Sequence, residues 1–452
     1  MAYDDFRSFL EILEKEGELV RLKRPIETRH EIAAGIRHVS DTAGPALWFE
    51  NVIGHDIPVV GGVFASRKKA LLALEVESPG AGNVLFQHGL RNPIEPQLVA
   101  EGPCQEVVYT GDDIDIDLLP LPIYSALDGG AYVTVALEMS RDPDDQSVNA
   151  SVYRMMRLDR NHMAVMSHAF QGLGTHMARA EALNQPLDVA IVNGSDPVLL
   201  YASQAKVPQG VNELTVAGGI RGHAVEVVKA LTVDLDVPAT AEIIIEGRIL
   251  PGERVIEGPF GEFTGYYGPA ESNPVMEITA ITHRRDPIFL AGMTGVPPTD
   301  NHVLKSFAYE SNLLVRLQET FPEVSAVSFP EWGGVQYAAV VALRQRYKGQ
   351  ARHLILTALG DSSRPKLVIV VDDDIDVYDT ELVNWAVMTR SQPAEDLIVV
   401  PRVAGGPLDP SAPEKEVISV WGIDATRPYG VDFPEVVTVP GADKFRISDW
   451  LS

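Results

Sequence analysis

Glu257 and Glu262 stand five positions apart in EGPFGEFTGYYGP, residues 257–269, on either side of a turn built from Gly258, Pro259 and Gly261. Two carboxyls held so close split their proton affinities, and one can stay ionised while the other carries a proton. A nearby guanidinium would hold one of them ionised, or would take a substrate carboxylate in a bidentate fork. Upstream, SVNASVYRMM sets Asn149 and Arg154 in an otherwise apolar strand, and MAVMSHAF does the same with His168. GVNELTVAGGIRG places Glu213 between glycine-rich turns, on a short helix. Asn149, His168 and Glu213 form a mixed oxygen and nitrogen set, which suits a hard or borderline divalent ion such as Mn²⁺ or Mg²⁺. Each group also has a plainer reading. The glutamates could be solvated loop acids, Asn149 and His168 satisfied polar groups on a barrel rim, and Glu213 a helix cap.

Other chemistries are excluded. VDDDIDVYD, residues 371–379, is no calcium loop, because Val377 and Val383 stand where glycine and glutamate are required. No GxxxxGK[ST] occurs, and no GxGxxG opens a helix. A net charge of −26 repels phosphate backbones and anionic lipid, which argues against nucleic acid and membrane as partners. The one cysteine, Cys104, permits no disulfide within the chain, fits a cytoplasmic setting and reads as a small buried hydrophobe. The first residues carry charges throughout and do not read as a signal peptide, and no apolar run is long enough to span a bilayer.

The elements that must position these residues fall into three parts, over a length that implies two or three domains. Phe6, Phe9, Leu10 and Leu13 follow the spacing of a helix, capped by Asp4 or Asp5 and ended by Gly17. Ile32, Ile36 and Val39 mark a second helix, ALWFENV and IPVVGGVF two strands, and SRKKALLAL a third helix. The centre is a run of strands joined by turn residues, which predicts an antiparallel sheet or barrel. From about 303 helices and strands alternate, which predicts a βαβ unit with a mostly parallel sheet. The Pro-, Gly- and Asp-rich tail past about 405 is expected to wrap over a neighbouring surface. With LDRN (158–161) as a hairpin turn, Asn149 falls near His168 on the adjacent strand. Asn149 and Arg154 differ by five positions, so a regular strand would point them to opposite faces unless a bulge or strand end lies between them.

NASVYRMM, ELTVAGGIRG, EGPFGEFTGYY and VDDDIDVYDTELVNWAVMTR, in this order over nearly the whole chain, resemble the UbiD-type decarboxylases. The resemblance implies a mixed α/β and β fold: an N-terminal α/β unit (1–115), a central split β-barrel like those of flavin reductases (116–300), a linker helix (301–322) and a C-terminal α/β domain (323–452). It implies prenylated FMN, supplied by a flavin prenyltransferase and held with Mn²⁺ and K⁺. Arg154, Glu257 and Glu262 fall on the catalytic set. Asn149, His168 and Glu213 fall on the Mn²⁺ ligands, and Ala202, Ser203, Ala205 and Glu213 on the K⁺ ligands. Asn149, Ser151, Val152, Arg154, Ser167, His168, Ala202 and Ser203 would surround the cofactor. A homodimer formed through the C-terminal domain, or a higher homo-oligomer, is implied as well.

One family lysine near the cofactor is absent, with Gly360 in its place, and the chain is short for the family. Short members include those acting on furan, pyrrole or indole carboxylates. MTGVPPTDNHVLKSF, residues 293–307, would then border the substrate, with His302 as the polar contact. The expectation is a reversible, non-oxidative decarboxylase of an aromatic or heteroaromatic acid, releasing CO₂. The alternatives are a decarboxylase of an acyclic cinnamic-type acid, a glycosidase using the two glutamates, and a cofactor-free structural subunit of a carboxylase complex.

Overall fold

The computed structural model describes residues 3–167, 171–207, 210–414, 416–442 and 444–450. Its first helix, Phe6–Lys15, begins where Asp5 and Ser8 cap each other. The Asp5 carboxylate accepts from Ser8 N at 2.9 Å, and Ser8 Oγ accepts from Asp5 N at 3.1 Å. Phe6, Phe9, Leu10 and Leu13 are buried, as their spacing predicts, and Gly17 follows the helix end at φ +72°. Helices Glu31–Asp41 and Arg67–Leu74 match the other two expected in this part, and Pro79–Arg91 adds a fourth that the sequence reading missed. Phe6–Lys15 and Glu31–Asp41 pack on a four-stranded sheet ordered Leu19–Leu22, Ala46–Phe49, Val59–Gly61, Phe289–Ala291, whereas Pro79–Arg91 packs on the helices Glu213–Arg221 and Asp300–Thr320. The last strand comes from far along the chain, a pairing that no local pattern encodes. Cys104 is buried and free, and burial pushes its thiol up to about 12.

The central sheet is antiparallel, open and curled. Its order is Tyr132–Val133, Arg154–Arg157, His162–Met166, Glu271–His283, Ile243–Glu257, Leu187–Asn193, Leu137–Arg141, Val148–Val152. Val107–Thr110 adds to the far end of Glu271–His283. The LDRN hairpin forms, with Met163 opposite Arg157 and Met166 opposite Arg154. It stops there, because the chain leaves the ladder at Tyr153, and Val148–Val152 pairs instead with Leu137–Arg141. Asn149 therefore lies opposite Ser140, outside the ladder of the LDRN hairpin. His168 itself lies outside the described residues. The stretch VEVVKALTVDLDV leaves the main sheet and makes a small one with Gln97–Leu98.

The C-terminal sheet runs Val324–Ser328, Ala338–Leu343, Leu367–Asp372, Val417–Ala425, Leu397–Ala404, parallel across its three middle strands. Val417–Ala425 corrects the expectation for the tail: it is an inner strand, disguised by its Pro- and Gly-rich flanks. Asp379 caps Thr380–Arg390, and Arg390 neutralises Asp372 and Asp374 of the acidic run.

The 21-residue helix Asp300–Thr320 joins the parts. On it Glu310, fully buried, receives Arg67 at 2.7 Å. The same guanidinium reaches Glu331 at 2.8 Å, and Phe329 N donates to Glu310 at 3.0 Å. One cation thus ties the N-terminal unit, the joining helix and the C-terminal sheet. Arg67→Met leaves Glu310 buried without its counter-charge, and a loss of about 3–5 kcal/mol is expected in the first urea transition. A change below about 1 kcal/mol would show that the network is not a tie.

Candidate active site

The long hairpin Ile243–Glu257/Glu271–His283 carries the acids. It ends at the pair Glu257–Glu271. The chain then passes Gly258, at φ +94°, into the small ladder Phe260–Gly268 and Gly261–Tyr267. Only glycine adopts that φ without strain. Glu262 sits in the turn of this ladder, where its amide donates to Tyr266 O at 2.9 Å. Arg154 is the first residue of its strand, just past the break at Tyr153. That break lets Asn149 and Arg154 line one cavity although their separation is odd.

Glu257 is wholly buried, and its two oxygens receive four hydrogen bonds. Arg154 Nε and Nη2 donate to it at 3.0 Å each, the Tyr132 hydroxyl at 2.9 Å and Asn273 Nδ2 at 2.9 Å. All four partners are donors, and an acceptor-only carboxylate satisfies them completely. Glu262 meets Arg154 Nη1. The guanidinium lies 4.8 Å from the Phe260 ring centre, and Phe260 packs on Tyr132 at 4.5 Å. Burial works against the charge on Arg154, but Glu262 and Glu257 outweigh it and hold the group above its ordinary range.

Arg154 and Glu262 line a cavity of about 530 Å³, together with Asn149, Ser151, Val152, Ser203, Ala205 and Glu213. Glu257 stays behind Arg154 and does not line it. Glu257 and Glu262 therefore do not face a ligand together across this cavity, which removes the glycosidase reading that rested on that pair. Ala202 is buried beside the lining residues Ser203 and Ala205, and the Ser203 carbonyl accepts from Ser151 Oγ at 3.2 Å. Among the described residues, Ser167 Oγ is buried with no partner, and so is Asn149 Nδ2. Glu213, the first residue of the helix that Asn212 caps, accepts from Ala150 N at 2.8 Å, and burial raises it to about 7. An acid pushed up by burial, with no ion-paired cation among the described residues, suits a bound cation. Among the described residues no cluster of three His, Cys, Asp or Glu could hold a metal.

His302 departs from expectation, because it is fully buried and does not line the cavity. Its Nε2 donates to Phe263 O at 2.8 Å, so Nδ1 accepts from Thr299 Oγ1 at 2.6 Å. Burial lowers it to about 4 and keeps it neutral. It props the backbone immediately after Glu262. Tyr132 and Asn273, the other supports of the site, carried no motif; only pairing across strands brings them to Glu257. His302→Leu strands the Phe263 carbonyl, at a cost of about 1–3 kcal/mol. Hydrogen exchange at the Glu262 and Gly265 amides should then quicken about tenfold, with His302→Gln partly restoring it. Unchanged exchange would mean that the prop is not needed.

Three family domains match the chain, all described as 3-octaprenyl-4-hydroxybenzoate carboxy-lyase (UbiD): the N-terminal domain over residues 10–87, the Rift-related domain over 97–297 and the C-terminal domain over 302–425. An uncharacterized protein of Archaeoglobus fulgidus is 35% identical over 477 residues, covering 99% of this chain and 98% of that protein. The UbiD-class enzyme HmfF of Pelotomaculum thermopropionicum, solved with FMN, superposes with a TM-score of 0.93 at 36% identity, over 99% of this chain and 100% of that one. An evolved dimeric form of it, solved with prenylated FMN, gives 0.90 at 35% identity over the same shares of the two chains. Vanillic acid decarboxylase of Sedimentibacter hydroxybenzoicus gives 0.91 at 31% identity, over 100% of this chain and 99% of that one. Matched by these domains over most of its length, the chain belongs to the UbiD family of carboxy-lyases.

Proposed function

We propose that the chain carries out the reversible, non-oxidative decarboxylation of an aromatic or heteroaromatic acid of furan, pyrrole or indole type, with prenylated FMN as cofactor. The observation that carries this reading is the Arg154–Glu257–Glu262 unit on the wall of a cavity of about 530 Å³. The bound flavin would supply an electron sink for the pair released when the carbon–carboxyl bond breaks. Asn149, His168 and Glu213 would hold Mn²⁺, and Ala202, Ser203, Ala205 and Glu213 would hold K⁺. These cations would bring positive charge to the cofactor phosphate in a chain of net charge −26. A flavin prenyltransferase is the implied source of the cofactor.

The residues divide the work by burial. Glu257, fixed by four donors, keeps Arg154 oriented through two of its nitrogens. Glu262 holds only the third, so it can leave without unseating the guanidinium, and the vacated Nη1 can take the substrate carboxylate. Loss of CO₂ leaves a carbon that needs one proton. Glu262, in the cavity wall on a short turn, would deliver it and be recharged from solvent.

Protein made with a flavin prenyltransferase and offered a panel of aryl acids should release CO₂. A coloured, metal-loaded protein that acts on none of them would refute the reading. Glu262→Gln should keep colour and lose about 10²-fold or more in kcat; full activity would remove Glu262 from the mechanism. Mn²⁺ uptake should release more protons at pH 6 than at pH 8, because Glu213, raised to about 7 by burial, is still protonated at the lower pH and must ionise to bind. Equal release at both values would remove Glu213 from the cation site.

A further inference from the structure

The turn that carries Glu262 is held from a second side, by the segment that leads into Tyr132–Val133. Asp128 closes a tight turn of its own there. Its amide donates to Ser125 O at 3.1 Å, and its Oδ2 accepts from Ser125 N at 2.7 Å. One oxygen is enough for that turn. The other reaches across to the catalytic loop, where Oδ1 accepts from Gly261 N at 3.1 Å, one residue before Glu262. Two further bonds follow the same seam. Gly129 N donates to Pro259 O at 2.9 Å, and Leu127 N donates to the Tyr267 hydroxyl at 3.1 Å. The seam has no room for a side chain at Gly129, because a Cβ there would lie 2.3 Å from Gly258 O. Asp128 is half-buried, and burial raises its carboxyl although both amides and the Arg154 charge draw it down. A solvated acid that only caps its own turn needs none of these contacts.

We propose that Asp128 is a positioning residue for the reaction, holding the Gly261 amide so that Glu262 meets Arg154 and the cavity at one place. The inference rests on the proposed function and adds a residue to it. Segment 124–133 then serves both acids: the Tyr132 hydroxyl bonds the Glu257 carboxylate directly, and Asp128 fixes Glu262 through the backbone. Tyr132–Val133 also pairs with Met156 and Met155, just beyond Arg154, so the guanidinium and both acids share one frame. His302 secures the carbonyl of Phe263, and Asp128 secures the amide of Gly261. The backbone is thus pinned on each side of Glu262, while its side chain stays free to leave Nη1 and return. A proton donor displaced by about 1 Å loses about 10²-fold in rate, so this pinning matters to turnover more than to folding.

The test compares Asp128→Ala and Asp128→Asn on cofactor-loaded protein, in the wild-type background and in Glu262→Gln. Asp128→Ala should lower kcat about 10–100-fold, with KM and FMN affinity changed less than about twofold. Asp128→Asn keeps an acceptor for one of the two amides and should lose only about 3–10-fold; it decides alone if Asp128→Ala does not fold. In Glu262→Gln the same substitutions should change kcat less than about twofold, because the group they position is already gone. A loss of equal size in both backgrounds would make Asp128 a general support and overturn the proposal. Full activity, or a loss carried by KM or by FMN affinity, would overturn it as well. A second arm reads hydrogen exchange, where the Gly261 amide should quicken about tenfold in Asp128→Ala. Should no acid release CO₂ from the wild type, the proposed function fails, and exchange then decides: the quickened amide would still support the hold on this turn, and an unchanged one would refute it.

Discussion

One guanidinium held by two carboxylates of unequal burial organises this site. Glu257 is sealed off and satisfied by four donors, so it is a fixed support. Glu262 touches the same guanidinium through a single nitrogen and reaches the cavity. Had both acids been equally buried, neither could move without leaving a bare charge in a low-dielectric interior, which costs several kcal/mol. Had both been exposed, Arg154 would have no fixed orientation. The asymmetry comes from the fold, because one acid ends a long strand and the other lies on the short turn beyond it.

The surrounding structure secures that turn from several directions. His302 bonds the Phe263 carbonyl, Lys305 lies over its ring, and Tyr337 packs against it. Two of these come from the joining helix and one from the C-terminal part, so the placement of Glu262 depends on how the parts meet. Arg67, shared between Glu310 and Glu331, binds the same helix to both neighbours. Several of the polar contacts that unite the chain therefore meet on the helix that borders the cavity.

Charge explains the division of the cavity. In a chain of −26, an anionic ligand needs local cations, and the side chains facing the cavity supply them unevenly. Arg154 already meets two carboxylates, whereas among the described residues neither Lys206 nor Lys305 has an ion-paired acid. Glu213 is an acid raised by burial with no ion-paired cation among the described residues, which is the condition of a site that gains stability by binding a cation.

The amphipathic helices were legible in the sequence because their signal is local. Phe6, Phe9, Leu10 and Leu13 repeat at helical spacing, and Asp5 and Asp379 cap helices with their own side chains. Arg154, Glu257 and Glu262 were legible as candidates because polar groups in apolar strands and on rigid turns stand out. Tertiary structure decided the rest. Tyr132 and Asn273 meet Glu257 only across strands, Phe289–Ala291 pairs with a strand from the start of the chain, and Val417–Ala425 enters an inner sheet position between Pro- and Gly-rich flanks. His302 reads in sequence as a polar group bordering a ligand, yet burial makes it a neutral prop for the backbone of Phe263. Sequence spacing sets which side chains share a face of one element. Which elements meet, and so which charges are neutralised, is set by contacts between residues far apart along the chain.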